Sequence, residues 1–264
     1  MNYKAGFIGC GNMGGALASA AATKYSSDIC VYDKDAAKTS LLCEKYGAVT
    51  ADVKELIAKS AFTFLGIKPQ FMKDVVEPLV DDINSSETVV VTMAAGLSIS
   101  FFTDELKITR PIIRIMPNTP CSLGSGMILY SCNESVSESQ EKAFAELMSG
   151  AGILDKLPEA MIDPASTVSG CGPAFAYIFA EALSDAGVEV GLPRDKALLY
   201  AAQMLKGSAE MILKYGAPAT LKDNVCSPGG TTIAGVHALE DSGFRAAAMN
   251  AVTASYKRTL KLKK

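Results

Sequence analysis

The sequence predicts an α/β chain in which a doubly wound parallel sheet occupies the N-terminal half and the C-terminal half is all helix. Three observations carry this. Short apolar runs at residues 6–8, 29–32, 62–67, 88–93, 112–116, 127–130 and 153–157 alternate with helical segments, the pattern of strands joined by helical crossovers. Beyond Pro158 the strand signal stops, and Ala, Leu and Met recur every three or four residues through 173–186, 193–213, 231–239 and 244–260. The opening, residues 3–17, runs an apolar strand into Gly9, Gly11 and Gly14 and then into an Ala-rich helix.

That opening reads as a Rossmann-type dinucleotide-binding turn. Gly9 permits the tight turn, Gly11 lets backbone approach a pyrophosphate, and Gly14 lets the helix lie close on the strand. The helix N-terminus then offers unpaired N–H groups to phosphate, with Cys10, Asn12 and Met13 completing the loop. The second apolar run ends in Asp33, where a carboxylate can bind a ribose 2′-hydroxyl, with Lys34 beside it. The bland alternative for Asp33 is a cap on the following helix. The expected division is residues 1–157 as the dinucleotide-binding domain and 158–264 as a helical domain for dimerisation and substrate binding.

Helix boundaries in the second half are marked by Gly187 and Gly191, by Pro193 at a first helical position, and by Gly216 with Pro218. The helix at 193–213 is apolar on most of its surface, which predicts burial against a second copy: a homodimer or larger homo-oligomer. With 49% hydrophobic residues in 264 there is material for a sizeable core. A net charge of −3, with both signs interspersed, gives no case for nucleic acid as partner. The basic tail Lys257, Arg258, Lys261, Lys263 and Lys264 complements the end of a last helix. No apolar run spans a bilayer and no signal peptide is seen, so the expected location is the cytoplasm, with no membrane partner. Seven cysteines without Cys-x-x-Cys spacing read as reduced thiols, and the residue types give no metal-ligand cluster. The single histidine, His237, sits at helical spacing among Ile233, Val236 and Leu239 and reads as a core or half-buried residue.

Ligands of open parallel sheets bind at the carboxyl ends of strands. Gly66-Ile67-Lys68-Pro69, Ala94-Ala95-Gly96 and Pro117-Asn118-Thr119-Pro120 follow three such ends. Small residues at 94–96 admit a flat ring, and the two prolines hold Asn118 in a fixed polar loop. A second polar loop lies far along the chain, where Ser227-Pro228-Gly229-Gly230-Thr231-Thr232 opens a helix and reads as an anion cradle. Its bland alternative is N-capping by Ser or Thr.

These residues resemble the pyrroline-5-carboxylate reductases. The likeness runs through Gly6-Phe7-Ile8-Gly9-x-Gly11-Asn12-Met13, Ile67-Lys68-Pro69-Gln70, Ala94-Ala95-Gly96, Arg114-x-Met116-Pro117-Asn118-Thr119-Pro120, Ser169-Gly170-Cys171-Gly172-Pro173-Ala174-Phe175, Gly191-Leu192-Pro193 and the loop from Lys222 to Ile233. The resemblance implies a two-domain reductase whose helical half dimerises, with the nicotinamide held by one subunit and the substrate site completed by the other subunit's 222–233 loop. It implies L-1-pyrroline-5-carboxylate as substrate and NADPH or NADH as cofactor. Ser227, with Gly229, Gly230 and Thr231, would take the carboxylate, and Thr232 matches the family threonine on the ring nitrogen. Gly9, Cys10, Gly11, Asn12, Met13, Gly14, Asp33, Lys34, Ile67, Lys68, Pro69, Ala94, Ala95, Gly96 and Asn118 would hold the cofactor.

The chain departs from the family at Asp33, where members that prefer NADPH commonly have Ser, Arg or Asn; a carboxylate repels a 2′-phosphate, while Lys34 and Lys38 can offset it. The preference stays open at this stage. The rival enzymes, a β-hydroxyacid dehydrogenase or imine reductase, share the opening, but the dehydrogenases carry a catalytic lysine on the interdomain helix, and residues 169–191 contain no lysine. The rival outside enzymes, a dinucleotide redox sensor, has no use for the second cradle.

Overall fold

The structure, a computed structural model, describes residues 3–262; Lys263 and Lys264 of the expected basic tail lie outside them. The first half runs β1 (Tyr3–Ile8), α1 (Asn12–Tyr25), β2 (Ile29–Tyr32), α2 (Ala36–Tyr46), β3 (Val49–Thr50), α3 (Val53–Lys59), β4 (Ser60–Leu65), α4 (Met72–Val76), α5 (Val80–Ser85) and β5 (Val89–Thr92). It continues through β6 (Ile112–Met116), β7 (Gly126–Cys132), α6 (Glu138–Met148), β8 (Gly152–Lys156) and α7 (Glu159–Ser169). Helices α1, α2, α3 and α6 each separate two strands, and α4 and α5 together lie between β4 and β5.

The strands form one sheet in the order β3-β2-β1-β4-β5-β6-β7-β8. Strand β1 lies between β2 and β4, so the order reverses there, and a crevice opens beyond Ile8 and Leu65 where ligands of such sheets bind. Strands β1 to β6 pair in parallel, as the doubly wound sheet predicts, and one strand beyond them departs. Strand β7 runs antiparallel to β6, and β8 runs parallel to β7. Residues 117–125 are too short a link for a crossover helix, so the chain must turn back beside the strand it has left. Strand β3, unmarked in the apolar pattern, is too short to show a period.

The central strands are buried on both faces, which explains runs such as Val89-Val90-Val91. Phe7, Leu17, Phe64 and Phe144 fill one side, with Phe7 and Phe64 stacked at 4.3 Å between ring centroids. Ile8, Leu65, Met72 and Phe102 fill the other.

The remaining helices are α8 (Gly172–Glu189), α9 (Arg194–Tyr215), α10 (Pro218–Asn224), α11 (Thr231–Asp241) and α12 (Phe244–Leu262). The described residues form two compact units, one of residues 3–171 with 255–262, the other Gly172–Ala254. By its contacts α7 belongs with the sheet, packing on β6 and β7. Helices α7 and α10 were not separately expected. Gly187 does not end α8, which continues to Glu189; a Cβ there would stand 2.9 Å from the Ala197 Cβ, so this glycine serves the close packing of α8 on α9.

The helical unit has hardly any interior. Ser184 is the buried residue of α8, Ala197 and Ala201 those of α9, and α10 and α11 have none. His237 is accordingly not a core residue: its side chain is 77% exposed and Nε2 lies 3.1 Å from Asp241 Oδ2. The apolar spacing of α11 was real, but within the described residues that face is only partly covered: Ile233 is 39% and Leu239 43% exposed.

Candidate active site

The glycine turn after β1 is held by backbone. Gly9 has φ of 95°, and its N–H donates to Tyr32 O at 2.8 Å. A Cβ on Gly14 would stand 2.0 Å from Gly9 O, and one on Gly66 2.3 Å from the same atom, so the helix, the turn and the end of β4 meet with no room for side chains. A Cβ on Gly11 would meet nothing within 4 Å. Gly11 is the N-cap of α1 and no side chain caps it, so the first-turn N–H groups face open space. These are the conditions a pyrophosphate needs. Asn12 is exposed and Met13 half-buried beside them.

Asp33 is engaged in a way the sequence did not reveal. Its Oδ2 accepts from Cys10 N–H at 2.7 Å and its Oδ1 from Asp35 N–H at 2.9 Å. The cap of α2 is Asp35, whose Oδ1 accepts from Ala37 N–H, so the capping alternative for Asp33 is excluded. Burial alone would raise the Asp33 pKa, but the backbone N–H groups of Asp35 and Cys10, with Lys38, hold it below the ordinary value. Burial, reinforced by the Asp33 carboxylate, pushes the Cys10 thiol up to about 12, which leaves it an inert packing group.

The turn borders two clefts. One of ≈ 370 Å³ is lined by Gly9, Asp33, Lys34, Gly66, Ile67, Lys68 and Phe71 among others. The other, of ≈ 350 Å³, is lined by Cys10, Gly11, Asn12 and Lys38 among others. Lys68 is exposed and caps the short turn that begins at Pro69, with Ile67 half-buried before it. After β5, Ala94 is buried and Ala95 exposed, with Gly96 turning the chain away.

Asn118 is committed to the scaffold. Its Nδ2 donates to Ser169 O at 2.9 Å, and its Oδ1 accepts from Met127 N–H at 2.9 Å. Nearby lies a network that sequence reasoning missed. Arg114 Nη2 meets Asp163 Oδ1 at 2.6 Å with both side chains almost wholly buried, and Arg114 Nη1 meets Glu159 Oε1 at 3.2 Å. The same Glu159 oxygen accepts from Ile99 N–H at 2.6 Å. The network ties the loop after β5 and the middle of β6 to α7. Its signal was available: a guanidinium inside the apolar run Ile112-Ile113-Arg114-Ile115 demands a buried partner.

In the helical unit, Gly230 is the N-cap of α11 and no side-chain hydrogen bond caps it, which excludes simple capping by Ser227, Thr231 or Thr232. A Cβ on Gly230 would stand 2.3 Å from Ser227 Oγ, and Gly230 N–H donates to Ser227 O at 3.0 Å. Ser227, Gly229, Thr231 and Thr232 are exposed. The loop thus presents backbone N–H groups and hydroxyls together, donors suited to an anion. No lysine lies in α8. Among the described residues no group of side chains could hold a metal ion, and no helix is long and apolar enough to cross a membrane.

The family model for pyrroline-5-carboxylate reductase dimerisation matches residues 159–262, and that for NADP oxidoreductase, coenzyme F420-dependent, matches residues 4–96. Pyrroline-5-carboxylate reductase of Escherichia coli is 38% identical over 269 residues, covering 100% of each chain. Pyrroline-5-carboxylate reductase 3 of Danio rerio is 38% identical over 263 residues, 98% of this chain and 91% of its own. The crystal structure of Plasmodium falciparum pyrroline carboxylate reductase with NADP bound is similar at a TM-score of 0.88 and 30% identity, covering 100% of this chain and 99% of its own.

Proposed function

Because the chain belongs to the pyrroline-5-carboxylate reductase family, we infer that it reduces the C=N bond of L-1-pyrroline-5-carboxylate with NAD(P)H to give L-proline, the last step of proline biosynthesis. The observation that carries this is likeness over the whole length of the chain, 38% identity to the Escherichia coli enzyme over 100% of each. The residues present fit the cofactor: the space beyond Gly11 and the uncapped start of α1 suit a pyrophosphate.

Bound NAD(P)H supplies the hydride. The turn from Gly9 to Gly14 holds the pyrophosphate, Asp33 and Lys34 meet the adenosine ribose, and Ile67, Lys68, Pro69, Ala94, Ala95, Gly96 and the loop built around Asn118 support the nicotinamide side. Ser227 with Gly229, Gly230 and Thr231 binds the substrate carboxylate, and the Thr232 hydroxyl holds the ring nitrogen. An imine protonated from solution is already electrophilic, so the chain needs to position the ring more than to supply a strong acid. With its nitrogen protonated, the imine carbon would accept the hydride that a bound reduced dinucleotide would supply, and the C=N π pair would pass to nitrogen.

The functional division falls at residues 157 and 158, and the assembly is a homodimer or larger, supported by a helical unit with so little interior. The chain works in the cytoplasm, which suits seven free thiols, and its net charge of −3 fits no nucleic-acid partner. The test is loss of absorbance at the reduced nicotinamide band on adding pyrroline-5-carboxylate. Oxidation is expected; a folded chain that binds dinucleotide and leaves it reduced would overturn the reading.

A further inference from the structure

We propose that Asp33 makes the nucleotide subsite of this chain select a dinucleotide with a free ribose 2′-hydroxyl over one that carries a 2′-phosphate, an inference that rests on the dinucleotide-binding reading above. Asp33 follows β2 directly and lines the same cleft as Gly9, Gly66 and Ile67. Its carboxylate is tied on both sides, by Cys10 N–H at 2.7 Å and Asp35 N–H at 2.9 Å, and its side chain is only 12% exposed. It therefore cannot swing aside to admit a second anion without breaking its bond to Cys10 N–H in the glycine turn.

An ionised carboxylate has about four lone-pair sites, so acceptor capacity remains beyond these two backbone donors. Ribose hydroxyls are donors and can use it. A 2′-phosphate brings acceptor oxygens and negative charge to the same place, and nothing to donate at neutral pH. The neighbouring cations do not reverse this. Lys38 Nζ lies 3.5 Å from Asp33 Oδ1 and 3.9 Å from Asp35 Oδ2, already shared between two carboxylates. With exposed Lys34, the cluster of Asp33, Asp35, Lys34 and Lys38 is balanced before any phosphate arrives.

The test reads binding by itself: fluorescence titration of the intact chain with NADH and with NADPH, no imine present. NADH is expected to bind more tightly by about tenfold or more, a gap that a modest like-charge repulsion produces and that shrinks as salt is raised. Asp33→Asn keeps an acceptor for Cys10 N–H and removes the charge, and it should narrow the ratio by about tenfold. Asp33→Ser should narrow it as well. Equal or tighter binding of NADPH by the unaltered chain, or an unmoved ratio in both variants, overturns the proposal. If imine turnover survives such a result, only the role of Asp33 falls; if neither dinucleotide binds, the reading beneath it falls too.

Discussion

The two units of this molecule differ in how much of themselves they can bury. The sheet unit closes over Phe7, Phe64, Phe102 and Phe144, each fully buried, and even its charged Arg114 is 2% exposed. The helical unit leaves Ile178 66% and Leu213 75% exposed. A sheet covered on both faces by its own crossovers completes its core within one chain, whereas a few helices of this length leave an apolar face for a second copy. Covering one such side chain contributes about 1.5–3 kcal/mol, so the proposed self-association would add to the stability of the helical unit. On that proposal the stability of the first unit is a property of the single chain, and that of the second would rise with concentration.

The largest expected effect breaks the self-sufficient side of this contrast. Arg114→Met takes the guanidinium away from the buried Asp163 carboxylate and should cost about 3–5 kcal/mol in denaturant unfolding, whatever the protein concentration. A loss under about 1 kcal/mol would mean the network is dispensable. Next, Ile178→Arg places a charge on the uncovered face and should weaken self-association by about 2–4 kcal/mol in sedimentation equilibrium. An unchanged assembly mass would move the interface away from α8.

Thr232→Ala should lower kcat/KM by about 1–3 kcal/mol of transition-state stabilisation while dinucleotide binding stays as it was. A normal rate would remove Thr232 from the mechanism. The smallest effect sharpens the comparison at a single residue. His237→Ala should change stability by less than about 0.5 kcal/mol, because an exposed pair with Asp241 contributes little. A larger loss that grows with protein concentration would show that assembly covers this histidine.

The dinucleotide turn was legible because each of its requirements is local: glycine where φ is positive, glycine where backbone meets backbone, and an uncapped helix start directly after a strand. The hydroxyl and glycine cluster from Ser227 to Thr232 was legible for the same reason. Asp33 was legible as an acid in the right place, but not as the staple on Cys10 N–H, a bond that joins residues 23 positions apart. Asn118 read as a polar group in a ligand loop, and the fold turns it toward Ser169 and Met127 instead. His237 read as buried because helical spacing shows that a face is apolar, and says nothing of whether the chain itself covers it.

By itself the sequence determined the alternation of strands and crossover helices, the glycine turn after the first strand, and the residue types at each strand end, since these follow from hydrophobic period and backbone sterics within a few residues. The tertiary structure alone decided the reversal of β7, the partners of Arg114, the two-sided anchoring of Asp33 and the nearly empty interior of the helical unit. Each of these depends on which distant groups the packed chain brings within hydrogen-bond or van der Waals reach, and no local pattern carries that distance.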